Sequence, residues 1–200
     1  MSVTLYDIKP RFQALLRPFV ERAAQTSVRP NHLTVAAIGV SAMAGAAVGL
    51  GAATTWLLWL VPVLYLLRMA LNAMDGLLAR EHGMTSRRGA LLNEVGDVVS
   101  DALAYLPFVY LIPDVRTLVV VVVVLGLIAE VAALAAAGES GRRNDGPLGK
   151  SDRALAFGGI TVLAALGADV VVAPVLFVMV PLGIATIRNR AVRGLEQEIS

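Results

Sequence analysis

The chain has 200 residues, of which 57% are hydrophobic and 16% charged, and its net charge is +2. A soluble domain usually has about a quarter charged residues and a little under half apolar ones, so this composition excludes an ordinary soluble domain and predicts a membrane protein. The chain has no cysteine and two histidines, which excludes disulfides and thiolate metal sites and leaves too few ligands for a multi-histidine metal site.

The first 32 residues are predicted to form a cytoplasmic or interfacial segment. Five basic residues lie in it, and no apolar run there is long enough for the core of a signal peptide. Apolar residues recur at helical spacing between these charges, which predicts an amphipathic helix in the membrane interface. They are Leu15, Leu16, Phe19 and Val20. The alternative is an ordinary solvated helix.

Residues 33–189 are predicted to cross the membrane as a bundle of six helices, followed by a cytoplasmic tail at 190–200, in one domain that spans residues 1–200. A helix needs about 20 apolar residues to cross a bilayer. Six stretches qualify, at residues 33–53, 55–75, 90–112, 116–137, 153–170 and 171–189. The fourth contains a run of valines but is still predicted to be helical, because an open strand in lipid would leave backbone groups unpaired. The predicted fold class is an all-α, polytopic membrane bundle.

The basic residues predict how this bundle is oriented. Fifteen of the seventeen Lys and Arg fall in the N-terminal segment, in the connections at 76–89 and 138–153, and at the C-terminal end. In a six-helix bundle these regions all lie on one side, which the positive-inside rule identifies as the cytoplasm. Both termini are therefore predicted to be cytoplasmic, in a bacterial inner membrane.

Ionisable and amide side chains are concentrated where the second stretch ends and the third begins. A charge inside a membrane costs about 2.5–3.5 kcal/mol on insertion scales, so such residues are functional candidates. At about 100° per residue they fall on one face of each helix. They are Arg68, Asn72 and Asp75 on the second helix and Asn93, Glu94, Asp97 and Asp101 on the third. Because the chain reverses between the two helices, Asp75 and Asp97 are predicted to lie at similar depth.

Carboxylate and amide oxygens in a confined site suit a hard divalent cation such as Mg²⁺, which prefers oxygen ligands completed by substrate phosphate. Two alternatives stay open from the chemistry. One is a buried polar network paired with Arg68 and Arg80, and the other is an ion-conducting or proton-relay site of a transporter. A transporter requires polar residues across the whole bilayer, whereas here they stop in one half apart from Asp101 and Glu130.

The same residues form a motif with fixed spacing. It reads Asn72-x2-Asp75-Gly76-x2-Ala79-Arg80-x8-Gly89-x3-Asn93-x3-Asp97. The motif resembles the signature of the CDP-alcohol phosphotransferases, D-x2-D-G-x2-A-R-x8-G-x3-D-x3-D. Every spacing is kept, and asparagine stands at the first and third acidic positions. The run Pro30-Asn31-His32-Leu33-Thr34 is similar to a Pro-Asn-x-Leu-Thr element common before the first span in that family.

The resemblance implies a membrane transferase of phospholipid biosynthesis. Such an enzyme moves a substituted phosphate, in most bacterial members phosphatidyl from CDP-diacylglycerol, to an alcohol and releases CMP. The implied cofactor is Mg²⁺ or Mn²⁺, as one or two ions. The implied partners are membrane lipid, a CDP-diacylglycerol donor and a small alcohol acceptor, either phosphorylated or not, and no nucleic acid is expected. The small-residue stretch at 42–53 suits either a homodimer interface or packing within one chain. The two asparagines keep open a catalytically inactive relative that binds lipid or a partner.

The resemblance also implies roles for individual residues. The expected metal ligands are Asn72, Asp75, Asn93 and Asp97. The resemblance makes Asp97 a metal ligand or the catalytic base. Asp101, which the family pattern does not require, is the alternative base because it could compensate for the two asparagines. The expected substrate-binding residues are Asn31, Thr34, Gly76, Ala79, Arg80 and Gly89, joined by Lys150 and Arg153 from the basic segment described next.

A second basic segment precedes the fifth stretch and has two interpretations. It contains Arg142, Arg143, Lys150 and Arg153. It forms either a phosphate pocket for the acceptor or a set of charges that fix the topology and touch anionic lipid. Glu130, an acid inside the fourth stretch, is expected to pair with a basic group from a neighbouring helix.

Overall fold

The computed structural model describes residues 5–136 and 146–198, and these form an all-α bundle. The helices are α1 (Leu5–Ala24), α2 (Pro30–Gly51), α3 (Leu60–Glu81), α4 (Arg87–Tyr105), α5 (Phe108–Leu111), α6 (Arg116–Ala135), α7 (Lys150–Ala165) and α8 (Val172–Glu198). Short 3-10 turns precede α3, α6 and α8, at Thr55–Trp59, Pro113–Val115 and Asp169–Val171. No strand occurs in these two ranges, which confirms the predicted all-α fold class.

Four helical segments are long and apolar enough to cross a membrane. They are Pro30–Gly51, Thr55–Glu81, Pro113–Ala135 and Asp169–Val192. Helix α4 falls short because it has three acidic residues within its 19 residues, and α7 falls short because it has only 16 residues. The prediction of a membrane helical bundle is confirmed, whereas the count of six crossings stays a prediction.

Three helix boundaries differ from the predicted stretches. The third stretch is interrupted after Tyr105, because Pro107 has no amide proton to continue α4, and the chain resumes as α5. Helix α7 begins at Lys150, three residues before the predicted start of the fifth stretch. Helix α8 continues to Glu198, through most of the segment predicted as a tail, so Arg190 lies on a helix.

Helix α1 has two apolar faces. Leu16 and Val20 are buried against α3. Leu15 and Phe19 point away from the bundle and are 68% and 54% exposed. An amphipathic helix that lies in a membrane interface places its outer apolar face among lipid chains, so this arrangement suits the predicted interfacial position.

An aromatic cluster fills the interior where α3, α4, α5 and α7 meet. Tyr105 stacks on Phe157 with ring centroids 4.4 Å apart, and Phe108 lies 4.9 Å from the same ring. Tyr65 meets Tyr105 edge-on at 5.5 Å and donates a hydrogen bond of 3.0 Å to the carbonyl oxygen of Ala104. Because every ring is paired and the Tyr65 hydroxyl has an acceptor, this cluster fixes the mutual positions of the four helices.

Helices α2 and α4 approach each other most closely at Gly45. A β-carbon built there would lie 2.0 Å from the carbonyl oxygen of Leu103. Small residues at helix interfaces permit such approaches. Part of the predicted small-residue stretch therefore serves packing within one chain.

We expect Gly45→Ala to lower the stability of the protein by about 1–3 kcal/mol, because the obstructing atom belongs to the backbone and the helices must move apart. The measurement is thermal unfolding of the detergent-solubilised protein. The matched control is Gly39→Ala on the same helix, where an added β-carbon meets nothing within 4 Å. An unfolding temperature for Gly45→Ala equal to that of Gly39→Ala would contradict the prediction.

Candidate active site

A cavity of about 190 Å³ lies between the start of α2, the end of α3 and the start of α4. It is lined by Pro30, Asn31, Thr34, Asp75, Gly76, Ala79, Arg80, Met84, Thr85, Ser86, Gly89, Ala90 and Asn93. Nine of these belong to the two sequence motifs. The structure thus brings the two halves of the motif, and the Pro-Asn-x-Leu-Thr element, to one place.

The tight reversal between α3 and α4 explains this convergence. Gly83 has a φ of +64°, a conformation that residues with a β-carbon rarely adopt. The amide of Met84 then donates to the carbonyl oxygen of Ala79 at 2.9 Å, which closes the end of α3. Ser86 begins α4 as its N-cap and accepts a hydrogen bond of 3.0 Å from the amide of Gly89. The two polar helix faces therefore stand opposite each other.

Two glycines keep the cavity open. A β-carbon at Gly89 would lie 2.8 Å from the Ser86 hydroxyl and 2.9 Å from Oδ1 of Asn31. At Gly76 it would lie 3.0 Å from a guanidinium nitrogen of Arg80. A side chain at either position would displace polar groups that line the cavity, so glycine at both positions preserves the space for a ligand.

Asp75 is the buried carboxylate of the cavity wall. Its side chain is 4% exposed and accepts a hydrogen bond of 2.8 Å from the hydroxyl of Thr34. Thr34 is expected to bind substrate. In the structure it lines the cavity, and its hydroxyl orients the carboxylate of Asp75. Thr34 on α2 thus holds in place the carboxylate of Asp75 on α3.

Asp97 is held by groups from two other helices. The side-chain amide of Asn72 on α3 donates to Oδ1 of Asp97 at 3.3 Å. The ammonium of Lys150, the first residue of α7, forms an ion pair with the same oxygen. Asp97 is 8% exposed and Lys150 27% exposed. Lys150 therefore joins the acidic cluster, although it lies far from the motif in sequence.

Five buried charged side chains form a continuous series that we call the buried charge chain. They are Arg68 on α3, Asp101 on α4, Arg153 on α7, Glu130 on α6 and Arg190 on α8. Arg68 pairs with Oδ1 of Asp101, and Arg153 lies 2.6 Å from the other oxygen, Oδ2. Arg153 also lies 2.7 Å from Oε1 of Glu130, which is 3.4 Å from Arg190. All five are at most 3% exposed.

The buried charge chain contains two residues that the sequence placed in the site. Both oxygens of Asp101 bond to arginines, whereas a catalytic base must reach the acceptor hydroxyl. Arg153 is fully buried and its guanidinium is occupied by two carboxylates. Neither residue lines the cavity, and the same is true of Asn72, Asp97 and Lys150, which lie next to it. The expectation that Glu130 pairs with a basic group from a neighbouring helix is confirmed.

The segment before α7 is fastened to the bundle. The amide of Leu148 donates to the Thr186 hydroxyl on α8 at 2.9 Å. The carbonyl oxygen of Leu148 accepts a hydrogen bond of 3.2 Å from Arg153. The start of α7, and with it Lys150, is therefore fixed. Arg142 and Arg143, the other basic residues of the predicted acceptor pocket, lie outside the described residues.

The donor atoms of the site suit a hard divalent ion. Asp75 and Asp97 provide carboxylate oxygens, and Asn72 and Asn93 provide amide oxygens. Within residues 5–136 and 146–198, no group of three or more acidic, histidine or cysteine side chains is placed to hold a metal. Mg²⁺ often uses only one or two carboxylates and completes its shell with water and substrate phosphate, and Mn²⁺ favours the same oxygen ligands. The donor set therefore fits a hard divalent ion that a phosphate-bearing substrate would help to bind.

Comparison with other sequences gives three matches. A family model described as CDP-alcohol phosphatidyltransferase matches residues 27–187. The inner membrane protein YnbA of Escherichia coli strain K12 is 46% identical over 157 residues, which is 78% of each chain. An uncharacterized protein of Aquifex aeolicus strain VF5 is 33% identical over 107 residues, which is 52% of this chain and 51% of that protein.

Solved structures share the fold. Phosphatidylinositol phosphate synthase PgsA1 of Mycobacterium tuberculosis, in complex with manganese and citrate, superposes with a TM-score of 0.73 at 14% identity, over 90% of this chain and 88% of that chain. The same enzyme with CDP-DAG bound gives a TM-score of 0.67 at 20% identity, over 92% of each chain. At such identities the likeness establishes the fold alone.

We expect Glu130→Gln to destabilise the protein by about 3–5 kcal/mol, because it leaves buried arginines without their shared anion. The measurement is again thermal unfolding in detergent. The control is Glu81→Gln, which breaks the exposed ion pair of 3.1 Å between Glu81 and Arg17. Such surface pairs contribute about 0–1 kcal/mol. Equal losses in the two variants would show that the buried charge chain does not stabilise the bundle.

Proposed function

The chain belongs to the CDP-alcohol phosphatidyltransferase family, and we propose that it transfers a phosphatidyl group from CDP-diacylglycerol to an alcohol and releases CMP. The observation that carries the proposal is the cavity in which Asp75, Gly76, Arg80 and Gly89 of the motif meet, with Asp97 one helical turn beyond Asn93 on α4. We extend to this chain the donor type and the divalent metal that are bound to PgsA1.

The chemistry can be assigned to the residues of the site. The oxygen of the acceptor hydroxyl forms a bond to the phosphorus that bears diacylglycerol, and the bond from that phosphorus to the bridging oxygen breaks, so that CMP leaves with the electron pair. Arg80 lines the cavity and pairs with phosphate oxygens of the donor. Asp75 and Asn93 would hold a divalent ion, which would neutralise charge on the donor phosphates.

Asp97 is the better candidate for the base. It must take the proton that the acceptor hydroxyl loses, which requires a carboxylate beside the reacting phosphorus. Asp101 has both oxygens bonded to arginines inside the bundle. Asp97 lies one helical turn nearer the cavity, where its Asn72 partner and Asp75 also belong to the motif. We therefore assign proton transfer to Asp97.

The place of the cavity suits a lipid donor that carries a nucleotide. Acyl chains must stay in lipid while the cytidine remains in water, so the site has to lie near one membrane surface. The cavity adjoins the α3–α4 turn, where Arg87 and Arg88 are exposed. By the positive-inside rule this turn faces the cytoplasm, and we place the protein in the bacterial inner membrane like YnbA.

The first test is metal-dependent release of CMP from CDP-diacylglycerol by the purified protein, with a panel of alcohol acceptors. We expect release that EDTA abolishes and that Asp75→Asn and Asp97→Asn each reduce by about 100-fold or more, because a general base and a metal ligand contribute on that order. The control is Asp114→Asn, an exposed acid in the turn before α6, which should keep full activity. The acceptor that stimulates release names the product.

One outcome would overturn the transferase. If the wild-type protein is folded and binds CDP-diacylglycerol but releases no CMP with any acceptor, the chain is a lipid-binding relative without activity. Asn72 and Asn93 would then be the first positions to restore to aspartate.

The orientation has a separate test. The chain contains no cysteine, so single cysteines report accessibility without background. We expect His82→Cys, in the α3–α4 turn, to react with a membrane-impermeant maleimide only after the inner membrane is opened. Asp114→Cys, in the turn before α6, should react in intact spheroplasts. The reverse pattern would place the cavity on the outer side and contradict a cytoplasmic CDP-linked donor.

A further inference from the structure

Lys150 and Asn72 share one oxygen of Asp97. Both contacts are made to Oδ1, from helices α7 and α3 respectively. An Mg²⁺ ion on this oxygen would lie about 2 Å from it. At that range the ion and the ammonium would lie against each other, and like charges in a buried place repel strongly. The lysine ion pair therefore disfavours a metal ion at this oxygen.

The position of Lys150 is built into the fold. The amide of Gly149 donates to Oδ2 of Asp152 at 2.8 Å, which caps the start of α7. Three residues after Lys150, Arg153 pairs with Asp101, and Asp101 lies four residues after Asp97. Residues three and four apart share a helix face. Helices α4 and α7 thus meet through two successive ion pairs, which align the ammonium with Asp97.

Gly126 supports this alignment from α6. A β-carbon there would lie 3.0 Å from Cδ of Arg153 and 3.1 Å from its Nε. The arginine therefore runs directly over the glycine to reach Glu130. With Arg153 held in this way, the first turn of α7, and so the base of the Lys150 side chain, is held beside Asp97.

The charges of the site set the number of cations that it can hold. Asp75 and Asp97 provide two negative charges and Lys150 one positive charge, while Asn72 and Asn93 are neutral. One divalent ion converts the remaining negative charge into one positive charge, which donor phosphates can neutralise. A second divalent ion would leave three positive charges among four oxygen-bearing side chains.

We propose that Lys150 serves as a built-in second cation, so that the site takes one divalent ion, held on the side of Asp75 and Asn93. The inference rests on the proposed function, from which the metal requirement comes. In this arrangement Lys150 and Asn72 hold Asp97 in place, while the single ion and Arg80 contact the donor phosphates.

The test counts Mn²⁺ ions bound to the full-length protein in detergent, without donor, by the electron paramagnetic resonance signal of the free ion. We expect one ion per chain in the wild type. Lys150→Met removes the charge but keeps much of the side-chain length, so a second ion should bind or the affinity for the first should rise at least tenfold. Lys150→Arg keeps the charge and should behave like the wild type.

Two controls make the result specific. Arg87→Met removes the same charge from an exposed position at the start of α4, and its affinity should stay within threefold of the wild type. If Lys150→Met does not fold, as judged by its unfolding temperature, Lys150→Gln replaces it. Two bound ions or none in the wild type, or unchanged binding in the neutral variants, would overturn the inference.

Release of CMP by the same preparations reports on the proposed function separately. Activity with two Mn²⁺ per chain would overturn the role of Lys150 and leave the transferase standing. One bound ion and the expected response of Lys150→Met, together with no release by folded protein that binds the donor, would support the role of Lys150 and overturn the transferase.

Discussion

The buried charge chain is the constraint on which the bundle depends. An ion moved from water into an apolar interior costs several kcal/mol unless it is paired. Here each of the five charged groups finds its partner on another helix, so α3, α4, α6, α7 and α8 meet through these contacts. Apolar residues tolerate many similar packings, whereas a charge has few acceptable neighbours. The buried charge chain therefore favours one arrangement of the helices among several that hydrophobic burial alone would allow.

The same constraint positions two side chains of the candidate site. The ion pair between Asp101 and Arg153 joins α4 to α7 inside the bundle. Asp97 and Lys150 lie one helical turn away on the same two helices, so the inner ion pair also aligns these two side chains. Both helices begin predicted crossings but do not themselves meet the requirements for a membrane crossing, α4 because of its acids and α7 because of its length. The acidic residues that make α4 too polar for a membrane crossing include Asp97 of the candidate site.

The sequence predicted those parts of the structure that depend on local spacing. Composition determined the all-α membrane bundle, and the spacing of the motif placed Asp75 and Asn93 on facing helices because only a short turn separates α3 from α4. The contact of Lys150 with Asp97 spans 53 residues, and no periodicity reports which distant helix will lie beside a given face. The positive-inside rule counts basic residues without regard to their partners. It therefore treats Arg153 and Arg190 as loop charges that set the orientation, although both are paired inside the bundle. Glu130 in a run of valines was the available signal, because an acid there requires a cation from elsewhere.

The two asparagines and Lys150 change the charge of the site in the same direction. Compared with a motif of four aspartates, Asn72 and Asn93 each remove one negative charge. The ammonium of Lys150 compensates the negative charge of Asp97. Asn72 donates a hydrogen bond to Asp97, and Asn93 lines the cavity with Asp75. Asparagine matches aspartate in shape but is neutral and can donate a hydrogen bond, so Asn72 bonds to Asp97 where a second carboxylate would repel it. A site that binds fewer metal ions needs less negative charge, which accounts for Asn72, Asn93 and Lys150 together. For this reason we favour a working transferase over an inactive relative.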